Sequence, residues 1–282
     1  MFYLIVTSLI WSVSFGIVKH LLPGLPPAGM TVIRLAGAGM VFLPFVRPAP
    51  IRVHASLLGI GAIQFGVMSL ALMTSFHYLH AHEVVLFTVI TPVYVAVIHD
   101  CFRRRFRALN LCAACISVMG AGVILWQGAA PTLSLTGFLL VNLSNACFAL
   151  GQILYREMLA RSPRPLTDRQ CCFWMYLGGL LAVLPLGVRD VGFVADLTSR
   201  QWLALAYLAI IVSGLSFFLW NSGARKVSAG TLAVMNNLKI PLGVLASLLF
   251  FGESAHLTVL AAGSLLMAVA LWLPHLQKEK AS

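Results

Sequence analysis

The chain has 282 residues, of which 60% are hydrophobic and only 10% are charged, and its mean hydropathy is +0.94. A soluble domain of this size needs far more charge on its surface, so the composition excludes one. The net charge of +11 would suggest a nucleic-acid surface in a soluble protein. Here we expect a polytopic membrane protein with almost no domain outside the bilayer.

Ten apolar segments follow one another along the chain, each close to the 20 or so residues that a spanning helix needs. The loops between them are short and rich in proline and arginine. We expect no cleaved leader, because residues 1–19 lack a basic stretch and their apolar run is too long for one. The ten segments are 2–21, 28–46, 54–76, 82–100, 109–126, 134–156, 169–187, 200–221, 229–251 and 256–274.

The distribution of basic residues predicts the orientation in the membrane. With the N-terminus in the cytoplasm, the inner loops and tail hold fourteen Lys and Arg residues, and the outer loops hold three. Such an excess is typical of cytoplasmic loops. We therefore expect a bacterial inner-membrane protein with both termini in the cytoplasm and no nucleic-acid partner. The fourteen are Arg47, Arg52, Arg103, Arg104, Arg105, Arg107, Arg156, Arg161, Arg164, Arg169, Arg225, Lys226, Lys278 and Lys280.

Two weak internal alignments indicate a repeated unit. A shift of 149 residues places Pro92 on Pro241, and a shift of 135 places Gly16 on Gly151. Each half would contain five spans, an odd number, so the second half would cross the membrane in the opposite direction. The sequence therefore predicts an all-α membrane protein whose ten transmembrane helices form two inverted five-helix repeats. The predicted repeats are residues 1–128 and 129–282.

Short motifs along the whole chain carry a family resemblance. They are residues 9–15 (LIWSVSF), Pro26-Pro27 with 32–36 (VIRLA), then Leu72, Tyr78, Ala81 and Pro92, and later Pro241, 251–253 (FGE) and the Ala/Gly-rich stretch 257–272. In order and spacing they resemble the drug/metabolite transporter superfamily, in its EamA-like branch. The chain departs from that pattern at Ser12, where glycine is usual. It departs again at His99-Asp100, where the first half usually has Gly-Glu.

The resemblance implies a ten-helix bundle that moves small metabolites, such as amino acids, without ATP hydrolysis of its own. It also implies a central cavity lined by the first, third, fourth, sixth, eighth and ninth helices. We expect transport by alternating access, in the direction of export, and no cofactor.

The ninth segment carries the strongest candidate for a substrate-binding residue. Lys239 lies near its middle, where a lysine costs roughly 2.5–3.5 kcal/mol on insertion scales. Its ammonium group could pair with a carboxylate or phosphate of a ligand, pair with an internal acid such as Glu83, or snorkel to one face. We expect ligand pairing, because roughly ten residues separate Lys239 from the cytoplasmic end of the helix.

Other polar side chains fall at a similar depth, given the rise of about 1.5 Å per residue. The predicted substrate-binding residues are Lys239, Asn236, Asn237, Trp11, Ser14, Gln64, Thr88 and Asn145. Pro92 and Pro241 interrupt helical hydrogen bonding and are either hinges for alternating access or ordinary kinks. For Arg34 we expect a structural bond to backbone carbonyls or to Glu83.

We expect no functional site at the histidines, cysteines and tryptophans near the segment ends. His77, His80, His82 and Glu83 have ligand types that suit zinc, but no matching pair occurs elsewhere, so we expect no metal site. The six cysteines are expected to be free packing residues. An aromatic belt at the membrane interfaces explains the tryptophans near helix ends, which are Trp126, Trp202, Trp220 and Trp272.

Two other classes of membrane protein are weighed against a transporter. An intramembrane enzyme needs a nucleophile and a base at the same depth, and Ser213 and Ser264 have no histidine at theirs. We therefore expect no enzymatic activity. A channel-like subunit is the other alternative. No carboxylate lies near the midplane, so uniport or exchange is expected rather than a proton relay through buried acids.

Overall fold

A computed structural model describes residues 1–125, 134–162, 166–250 and 256–275, and these residues form ten helices and no strand. Seven of the helices are long and apolar enough to cross a membrane. The prediction of an all-α, ten-helix membrane protein is confirmed. The helices are α1 (Phe2–Leu21), α2 (Pro27–Phe45), α3 (Ile51–Ser75), α4 (His82–Arg103), α5 (Ala108–Leu125), α6 (Leu135–Ala160), α7 (Asp168–Asp196), α8 (Ser199–Ala224), α9 (Ala229–Met235 continued by Lys239–Phe250) and α10 (Leu257–Trp272).

The helix bounds agree with the apolar segments to within a few residues, with one larger difference in α7. There a 3-10 segment, Val188–Asp196, continues the helix beyond the predicted end. The predicted boundary between the repeats, at residues 128 and 129, lies outside the described residues.

Local chemistry determines where several helices begin. Proline at the first position starts α2, where its missing N–H is not needed. The backbone N–H of His80 donates to the Glu83 carboxylate at 2.7 Å, so Glu83 closes a capping box at the start of α4.

Four helices are irregular, and they fall at matching positions in the two halves. α3 contains a π-helical segment, Ala62–Val67, and α8 contains another, Leu208–Leu215. α4 is interrupted by a turn before Thr91-Pro92, and α9 by a turn before Lys239. The π-helical segments thus lie in the third helix of each half, α3 and α8. The breaks lie in the fourth helix of each half, α4 and α9.

The packing between helices has the same correspondence. α2 packs on α7, α5 on α10, and α4 on α9. The contact of α2 with α8 recurs as α7 with α3, that of α1 with α8 as α6 with α3, and that of α1 with α9 as α6 with α4. Some crossings are very close: a Cβ atom added to Gly61 of α3 would overlap the backbone of Met175 on α7. Small residues allow such approaches between membrane helices.

The loops gather at two ends of the bundle that differ in charge. Met1, Arg103, Arg156 and Arg225 line one pocket, and we refer to that side as the arginine-rich end. Leu22 to Leu25 of the first loop meet His77, His80 and His82 in another pocket, and we refer to that side as the histidine end. Each pocket thus contains only residues from one of the two predicted sides of the membrane.

Candidate functional site

A cavity of about 100 Å³ lies inside the bundle. Seven helices contribute to its wall: the six that the resemblance implies, and also α2 through Arg34. Its polar lining residues are Trp11, Ser14, Arg34, Thr88, Thr91, Ser144, Asn145 and Lys239. Its apolar lining residues are Val18, Met68, Leu72, Met73, Phe76, Phe148, Leu208, Val212 and Phe217. Arg34 and Lys239, the basic residues deepest in their apolar segments, therefore reach one space.

Lys239 is the first residue of the second part of α9. Helix N-termini carry partial positive charge from unpaired N–H groups, and this adds to the charge of the ammonium group. Within the described part of the chain, the Lys239 ammonium group has neither an ion pair nor a hydrogen bond, so Glu83 is not its partner. The site therefore presents an unneutralised positive charge to the cavity.

Arg34 brings a second cation to the cavity from α2. Its Nε–H donates to the Ser213 hydroxyl at 3.1 Å, and its Nη1 lies 3.6 Å from the sulfur of Met73. No described carboxylate lies within ion-pair distance of this buried guanidinium group. The expected partners, backbone carbonyls or Glu83, are thus replaced by a hydroxyl and a thioether. Neither neutralises the charge.

The π-helical segment of α8 is where α1, α2 and α7 attach. The indole N–H of Trp11 donates to the Val212 carbonyl at 3.5 Å. The Tyr176 hydroxyl lies 2.5 Å from the Ser213 carbonyl oxygen and 3.0 Å from that of Gly214. A π-helix takes carbonyl groups out of the regular ladder, so these need partners from other helices. The local sequence determines neither the direction in which Tyr176 points nor the position of the π-helical segment.

An aromatic layer lies on one side of the cavity. The ring of Trp11 is 5.7 Å from Phe148, 5.2 Å from Phe217 and 5.0 Å from Trp220, between ring centroids. Trp220 is fully buried, and its indole N–H donates to Gln152 at 2.8 Å. The interfacial interpretation of Trp220 is therefore wrong, because an adjacent polar partner in the interior satisfies its N–H. Trp202 and Trp272 are exposed as predicted, and Trp126 lies outside the described residues.

Thr88 and Asn145, both predicted to bind substrate, lie in the cavity wall beside the break in α4. The Asn145 amide donates to the Phe87 carbonyl at 2.9 Å, and its oxygen accepts from the Thr91 hydroxyl at 3.1 Å. The Thr91 hydroxyl also lies 2.6 Å from the Thr88 carbonyl, which Pro92 leaves without its helical partner. Pro92 and Pro241 both lie just after such breaks, which is where the predicted hinges would act.

Three other predicted binding residues are buried away from the cavity. The Gln64 amide donates to Asn221 at 3.0 Å, and the Asn236 amide donates to the Leu232 carbonyl of its own helix at 2.8 Å. The Asn237 amide donates to the Val89 carbonyl at 2.9 Å. None of the three lines the described cavity. Trp11, Ser14, Thr88, Asn145 and Lys239 are the predicted residues that do.

The cavity continues toward the histidine end. Val18, Met73 and Phe76 line both the cavity and a wider pocket of about 470 Å³ that opens there. On the other side the aromatic layer separates the cavity from the arginine-rich end. Among the described residues no group of three His, Cys, Asp or Glu side chains is arranged to hold a metal ion. All six cysteines are free.

Comparison with known proteins agrees with this architecture. The profile of the EamA-like transporter family matches residues 1–126 and 135–273. A Pseudomonas aeruginosa protein named "Probable biotin transporter" is 38% identical over 283 residues, covering 99% of this chain and 98% of that protein. An Escherichia coli K12 protein named "Biotin transporter" is 34% identical over 274 residues, covering 95% of this chain and 91% of that protein.

A solved crystal structure has the same fold, with a TM-score of 0.74 at 18% identity, over 98% of this chain and 96% of that one. The resemblance read from the motifs is confirmed by these matches. The chain therefore belongs to the EamA-like transporter family of the drug/metabolite transporter superfamily, and it is a multi-pass secondary transporter rather than an enzyme.

Proposed function

We propose that the protein transports biotin across the bacterial inner membrane. The observation that carries the proposal is the pair of cations, Arg34 and Lys239, which face an otherwise apolar and aromatic cavity without a described acidic partner. Biotin has the matching chemistry: an aliphatic carboxylate that is ionised at neutral pH, attached to a compact fused ring with a urea group. Two relatives with near-complete coverage are named for this substrate.

The proposed substrate, biotin, differs from the amino acids that the sequence analysis gives as an example of the transported metabolite. An α-amino acid carries an ammonium group, which when bound needs a carboxylate or several acceptors in place of water. The described lining of the cavity contains no carboxylate, and it contains two cations that would repel the ammonium group. A singly charged anion with a neutral ring system fits this lining better.

Each part of the ligand has a counterpart in the cavity wall. The carboxylate pairs with the Lys239 ammonium group near the broken end of α9, where half-helix N-termini of transporters hold anionic groups. Arg34 supplies the second positive charge. Ser14, Thr88 and Asn145 offer donors and acceptors for the urea group. The ring packs on Trp11 and Phe148.

The cavity must widen to admit this ligand. Its volume of about 100 Å³ is below the roughly 300–1,000 Å³ of small-molecule sites. We propose that the breaks beside Pro92 and Pro241 act as hinges for this change. We also propose that residues 1–128 and 129–282 form two inverted repeats that move relative to each other. The recurring helix contacts, the paired irregularities and the two separate matches of the family profile support the repeat.

The arginine-rich end is proposed to face the cytoplasm, with both termini there. The predicted inner loops supply Arg103, Arg105, Arg156 and Arg225 to one pocket, which supports a single basic side. The described conformation then has its cavity directed outward. Export, the expected direction, stays a prediction, and the following assay does not depend on it.

Counterflow of labelled biotin in proteoliposomes tests the function. We expect saturable uptake of label into vesicles loaded with unlabelled biotin, blocked by excess biotin but not by biotin methyl ester or by amino acids. The ester keeps the ring and removes the charge, so it isolates the role of the carboxylate. Flux that does not saturate would favour the channel alternative. Competition by amino acids, with none by biotin, would overturn the proposed substrate.

A further inference from the structure

A second, larger cavity of about 830 Å³ lies at the arginine-rich end, apart from the central cavity. Its wall is formed by Met1, helix α4, the α4–α5 loop, helix α6, the α8–α9 loop and the start of α9. Its charged lining residues are Arg103, Arg105, Arg107, Arg156, Arg225 and Lys226, with His99 beside them. Six cationic side chains therefore converge on a space whose volume is within the range of small-molecule sites.

The nearby carboxylates neutralise only part of this wall. Asp100 accepts from the backbone N–H of Arg107 at 2.7 Å and lies 3.1 Å from the His99 ring. Asp168 pairs with Arg225 at 2.8 Å. The Glu157 carboxylate pairs with Arg103 at 2.8 Å and lies 3.7 Å from Arg161.

Of the six lining cations, only Arg103 and Arg225 have an ion pair with a described acid. The four cations left without one are Arg105, Arg107, Arg156 and Lys226. The wall thus carries more positive charge than one carboxylate could balance.

Arg156 is the most informative of the unpaired cations. Its Nη1 atom is buried, yet it has no hydrogen-bond partner within the described part of the chain. Partial burial disfavours its charge, the Glu157 carboxylate attracts it from beyond ion-pair distance, and Arg103 repels it more weakly. A buried donor without a partner is destabilising, and more so when it is charged. The excess of basic residues in cytoplasmic loops explains their number at this end, but it does not require a guanidinium nitrogen that is buried without a hydrogen bond, as in the half-buried Arg156.

We propose that this cavity binds a phosphate-bearing polyanion, such as a nucleoside polyphosphate, with Arg156 as a central contact. Guanidinium groups bind phosphate oxygens through paired, charge-assisted hydrogen bonds, and several arginines suit several negative charges. The site is separate from the central cavity, and it does not depend on biotin being the transported substrate. The same chemistry could be supplied by a soluble nucleotide or by the headgroup of an anionic lipid.

Titration of the purified full chain in nanodiscs separates these sources. In phosphatidylcholine discs, the nucleotide source predicts saturable binding of ATP and of pyrophosphate that weakens with added salt. Arg156→Gln should weaken that binding roughly tenfold or more, since it removes a charge-assisted hydrogen bond. The matched control is Arg200→Gln, an exposed arginine near the opposite end of α8, which should leave binding unchanged. The melting temperature of each variant verifies folding.

The lipid source gives a different result. The chain would then show no ATP binding in phosphatidylcholine discs, but phosphatidylglycerol would raise its melting temperature, and Arg156→Gln would remove that rise. Loss of ATP binding or loss of the phosphatidylglycerol effect in Arg156→Gln supports the site, and which of the two is lost identifies the ligand. The proposal is overturned if ATP, pyrophosphate and phosphatidylglycerol have no effect, or if their effects are the same in Arg156→Gln as in the unmodified chain.

Discussion

The side-chain amide of Asn237 on α9 donates a hydrogen bond of 2.9 Å to the backbone carbonyl of Val89 on α4. Both residues lie at the break in their helix. The Val89 carbonyl is available because the N–H of Val93 bonds to Ile90 instead of continuing the α-helical ladder. The interruption in one half of the chain is thus joined directly to the interruption in the other half, two residues before Lys239.

Replacing Asn237 with alanine should destabilise the protein by about 1 kcal/mol, in the range of hydrogen bonds measured between membrane helices. The change leaves the Val89 carbonyl buried without this donor. The free energy of unfolding in mixed detergent micelles is the measurement. Asn236→Ala is the matched control, because that neighbouring amide bonds only within its own helix. Equal losses for the two variants would mean that the link between α4 and α9 does not contribute.

Removing the Tyr176 hydroxyl, in Tyr176→Phe, should cost about 1–2 kcal/mol of stability. The hydroxyl lies against two carbonyl oxygens of the π-helical segment of α8, and both would lose this contact. Tyr207→Phe is a suitable control, because the Tyr207 hydroxyl has no hydrogen bond with described residues. The same unfolding measurement applies. An unchanged free energy of unfolding for Tyr176→Phe would show that other groups satisfy the carbonyl groups of the π-helical segment.

Trp11→Ala should raise the KM for biotin in counterflow at least tenfold, because the indole forms the aromatic wall of the cavity. Trp11→Phe keeps an aromatic ring and loses only the long hydrogen bond to Val212, so its KM should rise less. Trp202→Ala, at an exposed position, controls for general effects of losing a tryptophan. An unchanged KM for Trp11→Ala would remove this ring from the binding site.

Neutralising Arg34, in Arg34→Gln, should lower kcat/KM for biotin by roughly tenfold, since one of two cations facing the cavity is lost. Arg34→Lys retains the charge but not the Nε–H geometry toward Ser213. Its kcat/KM should therefore lie between those of Arg34→Gln and the unmodified chain. Arg52→Gln removes an exposed arginine from the start of α3 and should have no effect. If Arg34→Gln transports biotin normally, Arg34 serves only to attach α2 to α8.

The ten helices and the level of the cavity could be predicted because both depend on one coordinate, the depth along each apolar segment. Trp11, Ser14, Thr88, Asn145 and Lys239 were identified by depth and do line the cavity. Direction around the helix axis is a second coordinate, and successive residues differ in it by about 100°. Gln64 and Asn237 have the right depth, yet their side chains bond to other helices, and Asn236 bonds to its own helix.

Irregular backbone is the other limit of sequence reasoning. Pro92 and Pro241 indicate the breaks in α4 and α9, because proline has no backbone N–H to donate to a carbonyl group of the preceding turn. The π-helical segments of α3 and α8 contain no proline, so nothing local marks them. Ser213, which receives the Arg34 side chain, could not be placed before the path of α8 was known. The burial of Trp220 could not be predicted either, because its hydrogen-bond partner, Gln152, lies on another helix and is distant in the sequence.

The central claim, that the Lys239 ammonium group holds a carboxylate, is tested most directly by a cycle of binding affinities. The Kd of biotin and of its uncharged carboxamide is measured for the unmodified chain and for Lys239→Gln. We predict that the unmodified chain prefers biotin by roughly tenfold or more, as expected for a charge-assisted hydrogen bond. The variant should lose most of this preference, because Arg34 is then the one cation left among the described residues that line the cavity. An equal preference for biotin in both proteins would contradict the account.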